Sequence, residues 1–259
     1  IGEILVQPGF LDGQILDEIL RRCNKYQNDR VADAEQDSQE YREYLDSWVH
    51  EIKTPITSAR LIVENHKNPT TLRIDDELRR IDGFVEQVLY YARSAAVEKD
   101  FKVEKTTLQA LVNSALKIYS KPLIQVGGRP VFNGLDVSVC ADTKSCAFII
   151  GQIISNSLKY HAENLQVSFS AYKEQNAVRL VISDNGIGIS PSDLPRVFDK
   201  GFTGDNGRHY SKSTGIGLYL CKKLCNKMNM EITIQSDLGQ GTTVILSFPQ
   251  ESYLQEAGL

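Results

Sequence analysis

The chain has 259 residues, of which 41% are hydrophobic and 24% charged, and its formal net charge is −4. This length suits one large domain or two modest ones. The slight acidity does not favour a nucleic-acid partner held by bulk electrostatics, which leaves local basic patches as the alternative. Among the five cysteines, Cys221 and Cys225 lie four apart on a predicted helix. They could hold a metal, but without a neighbouring histidine or second pair the pattern favours buried packing in a reducing, cytoplasmic setting.

The first predicted element is one long helix over residues 12–66. From Leu45 to Val63 it carries an apolar stripe at steps of three and four, whereas residues 24–44 are mostly polar. A polar helix of that length is not stable alone. The pattern therefore predicts a coiled-coil connector over residues 1–39 that leads into a helical bundle.

The stretch HKNPT at 66–70 predicts a turn, with Pro69 stopping the first helix, and a second amphipathic helix follows over about 71–96. Two antiparallel helices cannot bury both broad apolar faces between themselves, whereas a symmetric dimer buries them in a four-helix bundle. A hairpin packed on its own second domain is the alternative, and the long polar extension favours the dimer. We predict this helical domain over residues 40–97.

A charged linker at 97–101 separates the helical region from a segment of mixed pattern. Strands are predicted at 165–172, 178–184, 230–236 and 242–248, and helices near 107–120, 143–161 and 215–228. The fold class predicted for the whole chain is α+β, with helices layered on a sheet in a second domain over 98–259.

Four short motifs in the second domain suggest a nucleotide site, beginning with QIISNSLKYH at 152–161. On a helix, Gln152, Asn156 and Lys159 share one face, and Tyr160 follows. An amide oxygen is a good ligand for Mg²⁺, and the lysine can meet a phosphate. A helix with Asn and Lys is, by itself, ordinary.

The second motif, SDNGIGIS at 183–190, directly follows a predicted strand. Asp184 offers an acceptor for an exocyclic amine, and Gly186 and Gly188 allow the backbone to approach a flat ring. An ordinary Asp-Asn-Gly turn is the alternative.

The third and fourth motifs are RVFDKGFTG at 196–204 and STGIGLYL at 213–220. The third begins a polar, mobile flap that extends to residue 213 and is anchored by Phe198. In the fourth, Gly215 and Gly217 open a helix that continues through Leu218, and its first amides would face phosphate oxygens.

The order and spacing of the four motifs resemble the Bergerat-type ATP-binding domain of histidine kinases, chaperones, type II topoisomerases and mismatch-repair ATPases. The P-loop motif is missing from the sequence, and residues 239–249 resemble the closing hairpin of the Bergerat domain. The resemblance implies ATP and Mg²⁺ as cofactors, an α/β sandwich over 98–259, and the motif residues as ligands, with Gln152 and Asn156 on the metal. Many kinases carry Asn or Glu at the position of Gln152, whose neutral amide can still coordinate.

HEIKTP at 50–55 resembles the H box of the dimerising phosphoacceptor helix in sensor histidine kinases. A zinc motif H-E-x-x-H would need histidine where Thr54 stands, and a surface histidine on a bundle is the bland alternative. In the kinase chemistry His50 attacks the γ-phosphorus of ATP and Glu51 takes the proton. We expect Pro55 to distort the helix, and the resemblance implies that Thr54 positions a water for dephosphorylation of the partner.

EYREYLDSWVHEIKTPI at 40–56 resembles, more narrowly, the bacitracin-sensor type of intramembrane-sensing kinase. This resemblance implies a homodimer, a response regulator as phosphate acceptor, a peptide-detoxifying ABC transporter as a partner through transmembrane helices, and a role in sensing envelope or antimicrobial-peptide stress. The sequence begins with Ile, and its longest apolar run, at 147–154, is too short to cross a bilayer. We therefore expect the cytoplasmic portion of a longer bacterial membrane protein.

Two other classes of function compete with the kinase. A Bergerat-fold ATPase or chaperone clamp would hydrolyse ATP without a phosphohistidine, and HEIKTP on an amphipathic helix counts against it. A non-catalytic scaffold is disfavoured by the intact nucleotide motifs. The signal, the cognate regulator and the choice between cis and trans phosphorylation are left open by the sequence.

Overall fold

The computed structural model describes residues 10–95, 101–204 and 214–249. The chain forms two compact units that divide between Ala92 and Arg93, a few residues before the boundary predicted at 97/98. Unit 1, up to Ala92, is helical, and unit 2, from Arg93, combines strands and helices. The predicted α+β class is confirmed.

Helix α1 extends over Leu11–Asn65, 55 residues, or roughly 80 Å at the usual helical rise. The prediction of 12–66 is right to within one residue at each end. Pro55 lies inside the helix and has no N–H for the carbonyl of Glu51, yet the helix continues through it. Two flanking hydroxyls bond to carbonyls four residues earlier, Thr54 Oγ1 to His50 O at 3.1 Å and Thr57 Oγ1 to Lys53 O at 2.8 Å.

Helix α2 extends over Pro69–Ala95, so Pro69 begins this helix and the prediction that it lies in the turn is wrong. Proline suits the first helical position because the N–H it lacks has no intrahelical partner there. Asn68 caps the helix through Oδ1, which accepts from the backbone N–H of Thr70 and of Thr71, both at 2.9 Å. Thr71 returns a bond, its hydroxyl oxygen accepting from Asn68 N at 2.8 Å, as in a capping box.

The two helices of unit 1 share a small apolar core. Val49, Ile56 and Val85 are buried together, and an ion pair between Arg60 and Asp75, with Nε and Oδ1 3.3 Å apart, also links α1 to α2. A second apolar stripe on α2 stays 37–47% exposed within the chain, and its members recur at steps of three, four and seven: Ile74, Ile81, Phe84, Val88 and Tyr91. One chain therefore buries only part of its apolar helix surface.

Unit 2 is built on a five-stranded sheet in the order β2-β4-β5-β7-β6, in which only the β2–β4 pair is parallel. A separate antiparallel pair joins β1 to β3. The described elements are β1 Val103–Thr107, α3 Leu108–Gln125, β2 Arg129–Asn133, β3 Ser138–Asp142, α4 Thr143–Lys159, β4 Gln166–Lys173, β5 Ala177–Asp184, a 3₁₀ turn Leu194–Arg196, α5 Gly217–Lys227, β6 Glu231–Asp237 and β7 Gly241–Pro249.

The helices of unit 2 cover one face of the sheet, because alternate residues of β4, β5 and β7 are buried while those between them are mostly half-exposed. The buried strand residues include Phe169, Leu180 and Leu246, and the buried faces of α3, α4 and α5 complete this core. The four predicted strands and three predicted helices of this unit are confirmed within a few residues.

Strands β1, β2 and β3 were not predicted. Each has only five residues, which is too short for a clear hydrophobic alternation to mark a strand in sequence, and β1 and β2 show no buried position at all. Helix α3 also ends five residues later than predicted because it continues past Pro122.

The structure buries Cys221 and Cys225, as their spacing predicted. Burial raises the pKa of both thiols, to about 12 for Cys225, and a thiol that stays protonated is a poor metal ligand. Within the described residues no cluster of three or more His, Cys, Asp or Glu side chains is arranged to hold a metal ion. Over the same residues, no helix combines the length and apolarity that spanning a bilayer requires.

Candidate functional site

The carboxylate of Asp184, the last residue of β5, accepts three hydrogen bonds within the protein. Its Oδ1 accepts from the backbone N–H of Gly186 at 2.9 Å and of Thr242 at 3.2 Å. Its Oδ2 accepts from the hydroxyl of Ser157, on α4, at 2.7 Å. Three separate elements thus fix one half-exposed acidic side chain, which is a geometry suited to binding a hydrogen-bond donor.

The loop that follows Asp184 is pressed between two backbone segments. A Cβ on Gly186 would lie 2.5 Å from Tyr160 O, and one on Gly188 would lie 2.1 Å from Asp237 O. Gly188 also has φ +72°, a conformation that glycine adopts without a steric penalty. These backbone contacts by themselves explain why both positions carry glycine. That the two glycines let the backbone approach a ligand stays a prediction.

The predicted side chains of α4 lie on one half-buried face of this helix. Its end reaches the loop that contains Gly186 and Gly188, the glycine loop. Gln152, Asn156 and Lys159 are all partly exposed, and Lys159 Nζ lies 4.8 Å from the centroid of the Tyr160 ring. Tyr160 O accepts from Ile187 N at 3.0 Å, so the end of α4 is bonded to the loop after Asp184. Within the described part of the chain, the side-chain amide of Asn156 makes no hydrogen bond, which leaves its oxygen available to a ligand.

The fourth motif enters α5 at Gly217 and packs against the third. Gly215 has φ +64°, a Cβ there would lie 2.6 Å from Phe202 O, and Gly215 O accepts from Gly201 N at 3.0 Å. The residue before α5, Ile216, gives the helix no side-chain cap, and the first N–H groups of a helix have no intrahelical partners, which suits them to bind an anion.

The remaining predicted residues of these motifs lie in or near α5. Leu218 is half-buried on this helix, and Lys222 Nζ lies 5.8 Å from the centroid of the Phe198 ring. Most of the predicted flap, residues 205–213, lies outside the described residues.

The three predicted residues of the H box lie in unit 1, in the last third of α1. His50, Glu51 and Thr54 are all exposed, so an imidazole at position 50 is accessible to a reactant. The Thr54 hydroxyl donates its proton to the carbonyl of His50, which leaves its oxygen lone pairs to accept from a water.

The sequence did not identify Ser157, Thr242 and Ser236 as parts of the site. Ser236 Oγ accepts from Ile189 N at 2.9 Å and donates to Gly241 O at 2.6 Å, which joins the glycine loop to the β6–β7 hairpin. The one available signal for Ser157 was its place next to Asn156 on α4. Its partner Asp184 lies 27 residues away in sequence, so only the fold shows the contact.

Residues 141–252 match the family described as histidine kinase-, DNA gyrase B- and HSP90-like ATPase. This match contains all of the predicted nucleotide and metal ligands. The sensor histidine kinase YxdK of Bacillus subtilis (strain 168) is 36% identical over 207 residues, which are 79% of this chain and 64% of YxdK. The chain thus spans less than two thirds of this relative.

The sensor histidine kinase GraS of Staphylococcus haemolyticus (strain JCSC1435) is 33% identical over 231 residues, 88% of this chain and 67% of GraS. The crystal structure of full-length ShkA in complex with AMPPNP superimposes with a TM-score of 0.59 at 22% identity, covering 80% of this chain and 45% of that one, and so shares the fold. The predicted resemblance to histidine kinases is confirmed. The chain belongs to the sensor histidine kinases of the GraS type.

Proposed function

We propose that this chain is the part of a sensor histidine kinase that binds ATP, phosphorylates itself on His50 and passes the phosphoryl group to an aspartate of a response regulator. The observation that carries the proposal is the Asp184 carboxylate, held by three donors at the edge of a glycine loop in a domain of the matching ATPase family. Phosphorylation of His50 from γ-labelled ATP is the direct test.

The proposed orientation of the nucleotide follows from the donors and acceptors that unit 2 offers. Asp184 accepts from the exocyclic amine of adenine, and the phosphates extend toward Lys159 and the uncapped amides at Gly217. The amide oxygens of Gln152 and Asn156, one helical turn apart on α4, would hold Mg²⁺, which supplies charge neutralisation for the phosphates. Hard oxygen donors of this kind are the ligands that Mg²⁺ prefers.

The chemistry at His50 is an in-line displacement. One ring nitrogen forms a bond to the γ-phosphorus, the bond to the bridging oxygen breaks, and ADP leaves. The proton on the other ring nitrogen passes to Glu51, the adjacent carboxylate. Phosphotransfer then moves the phosphoryl group to the regulator's aspartate, and the proton returns from Glu51 to the imidazole, which restores neutral His50.

A second activity, dephosphorylation of the regulator, is assigned to Thr54. Because its hydroxyl proton is donated to His50 O, the oxygen can orient a water only as an acceptor. We expect Thr54→Ala to keep autophosphorylation within about threefold and to lower the dephosphorylation rate at least about tenfold, since His50 stays intact. Both rates are measured in the same preparation, with and without the phosphorylated regulator.

Thr57→Ala is the matched control for this prediction. Thr57 is exposed and its hydroxyl makes the same contact, to the carbonyl four residues earlier, so it reports what the loss of such a bond does to the helix. Equal loss of both activities in Thr54→Ala, or the same loss in Thr57→Ala, would remove Thr54 from the mechanism.

We propose that the exposed stripe of α2 is the seam of a homodimer, in which two hairpins form a four-helix bundle. Val88→Lys places a charge within this stripe, where the side chain is 42% exposed in the single chain. We expect the dissociation constant of the dimer to rise at least about a hundredfold, because burying an unpaired charge is costly. Sedimentation equilibrium of the 259-residue chain measures the change.

Asp76→Asn is the control for the dimer prediction, since it alters the charge of α2 by the same single unit at an exposed position away from the stripe. It leaves the dimer intact if the stripe forms the seam. A parent chain that sediments as a monomer at micromolar concentration, or equal dissociation of the two variants, contradicts the proposal.

The wider setting of the protein is also a proposal, supported by the relatives. We propose a cytoplasmic portion of a bacterial membrane protein that responds to envelope or antimicrobial-peptide stress. A peptide-detoxifying ABC transporter, acting through transmembrane helices, stays a prediction from the sequence.

A further inference from the structure

The carboxylate of Asp184 has most of its hydrogen-bonding capacity occupied by protein donors. Two backbone N–H groups, of Gly186 and Thr242, bond to Oδ1, and the Ser157 hydroxyl bonds to Oδ2. A carboxylate offers about four lone-pair sites. The donors in the described residues therefore leave roughly one site open to a ligand, and it is on Oδ2, the oxygen that Ser157 holds.

Ser157 differs from the two backbone donors because nothing in the helix requires a hydroxyl at this position. It is 2% exposed on the buried face of the last turn of α4, where an apolar side chain would be equally compatible with burial. Its single proton has two acceptors in reach, Asp184 Oδ2 at 2.7 Å and Ile153 O at 3.2 Å. The carboxylate oxygen is nearer and charged, so the proton bonds to Asp184.

We infer that Ser157 is a positioning residue for the nucleotide base. By holding Oδ2, its hydroxyl fixes the carboxylate plane of Asp184 and directs the one remaining lone pair toward an exocyclic amino group. The inference rests on the proposed function, in which unit 2 binds ATP. It adds a residue that acts through Asp184 and that selects for an amino group on the base.

Ser157 acts on the ligand by fixing a side-chain torsion of Asp184 that otherwise turns easily. Rotation of a carboxylate about Cβ–Cγ is a broad, roughly two-fold torsion, and the two bonds to Oδ1 hold only one end of the group. Without the Ser157 hydroxyl, Oδ2 is free to turn or to take up a water, and the ligand amine must reorder it on binding. A base without an amino group donates no hydrogen bond to this lone pair. Its affinity therefore does not depend on the direction of the lone pair.

The test is a comparison of two nucleotides on three proteins by isothermal titration calorimetry, using the 259-residue chain. The nucleotides are ADP and purine riboside 5′-diphosphate, which lacks the 6-amino group; neither has a γ-phosphate to transfer. The proteins are the parent, Ser157→Ala and the control Ser155→Ala. Ser155 is half-buried on the same helix, and its hydroxyl does not bond to Asp184. Alanine is favourable in a helix, and thermal unfolding confirms that each variant is folded.

We expect Ser157→Ala to raise the dissociation constant of ADP about fivefold to tenfold, the effect of one typical hydrogen bond, because the lost bond orders Asp184 and does not reach the ligand itself. The constant for purine riboside diphosphate changes less than about twofold, and Ser155→Ala alters neither constant by more than that. An equal loss for both nucleotides, or no loss for ADP, overturns the role of Ser157 while leaving the nucleotide site in place. A parent chain that binds neither nucleotide overturns the proposed site itself and this inference with it.

Discussion

Replacing His50 with glutamine lowers incorporation of label from γ-labelled ATP by at least about a thousandfold, because no other group on the exposed face of α1 offers the same nitrogen nucleophile at that position. The parent protein carries a label that is lost in acid and survives alkali, as expected of a phosphorus–nitrogen bond. Glutamine keeps the size and polarity of the side chain, and position 50 is exposed, so the helix is retained. Phosphorimaging of the gel after acid and alkali treatment provides the measurement.

His66→Gln is the matched control for this experiment. His66 is a second exposed histidine, at the end of the same helix, with Nδ1 3.1 Å from Ile62 O. If His50 is the acceptor, this variant is labelled like the parent. Label that persists in His50→Gln, or that disappears in His66→Gln, refutes the assignment.

Replacing Asp184 with asparagine weakens ADP binding by about a hundredfold. The carbonyl oxygen of asparagine can keep the two bonds from Gly186 N and Thr242 N, which places its NH₂ where Oδ2 stood. That NH₂ then faces the amine of the base, donor against donor, and the ligand loses its acceptor. Ser157 can turn its proton to Ile153 O, 3.2 Å away, so the fold survives while the recognition is lost.

Calorimetry with ADP measures the effect, and Asp237→Asn provides the control. Asp237 also ends a strand, β6, but its side chain is exposed, so its replacement is expected to change the dissociation constant less than about twofold. A parent-like affinity in Asp184→Asn would show that the base binds elsewhere. A similar loss in both variants would indicate a general effect of acidic charge on the nucleotide.

The elements of this protein were predicted well where periodicity is strong. The stripe from Leu45 to Val63 repeats over five helical turns, and buried residues alternate along most of β5 and β7, which have eight and nine residues, so local pattern and tertiary burial agree. The prediction was wrong at Pro69, since proline ends one helix and starts another equally well and only the cap from Asn68 decides between them.

The candidate site was only partly visible in the sequence. Asp184, Asn156 and the glycines were singled out because each motif is local and its spacing survives in the linear chain. Ser157 and Thr242 were not, because they act across 27 and 58 residues of sequence, respectively, on the same carboxylate. A hydroxyl within a helix and a threonine within a strand have no local feature that predicts a distant partner.

The sequence by itself thus determined the two-part organisation, the long helix with its HEIKTP motif and the chemical types available for nucleotide binding, because these depend on local order and periodicity. The tertiary structure alone decided how the Asp184 carboxylate is oriented, since its three donors come from α4, the glycine loop and β7. It also decided why Gly188 must be glycine, because the carbonyl of Asp237 occupies the place of a Cβ. The direction of a hydrogen bond and the space beside a backbone are set by segments that meet only when the chain folds.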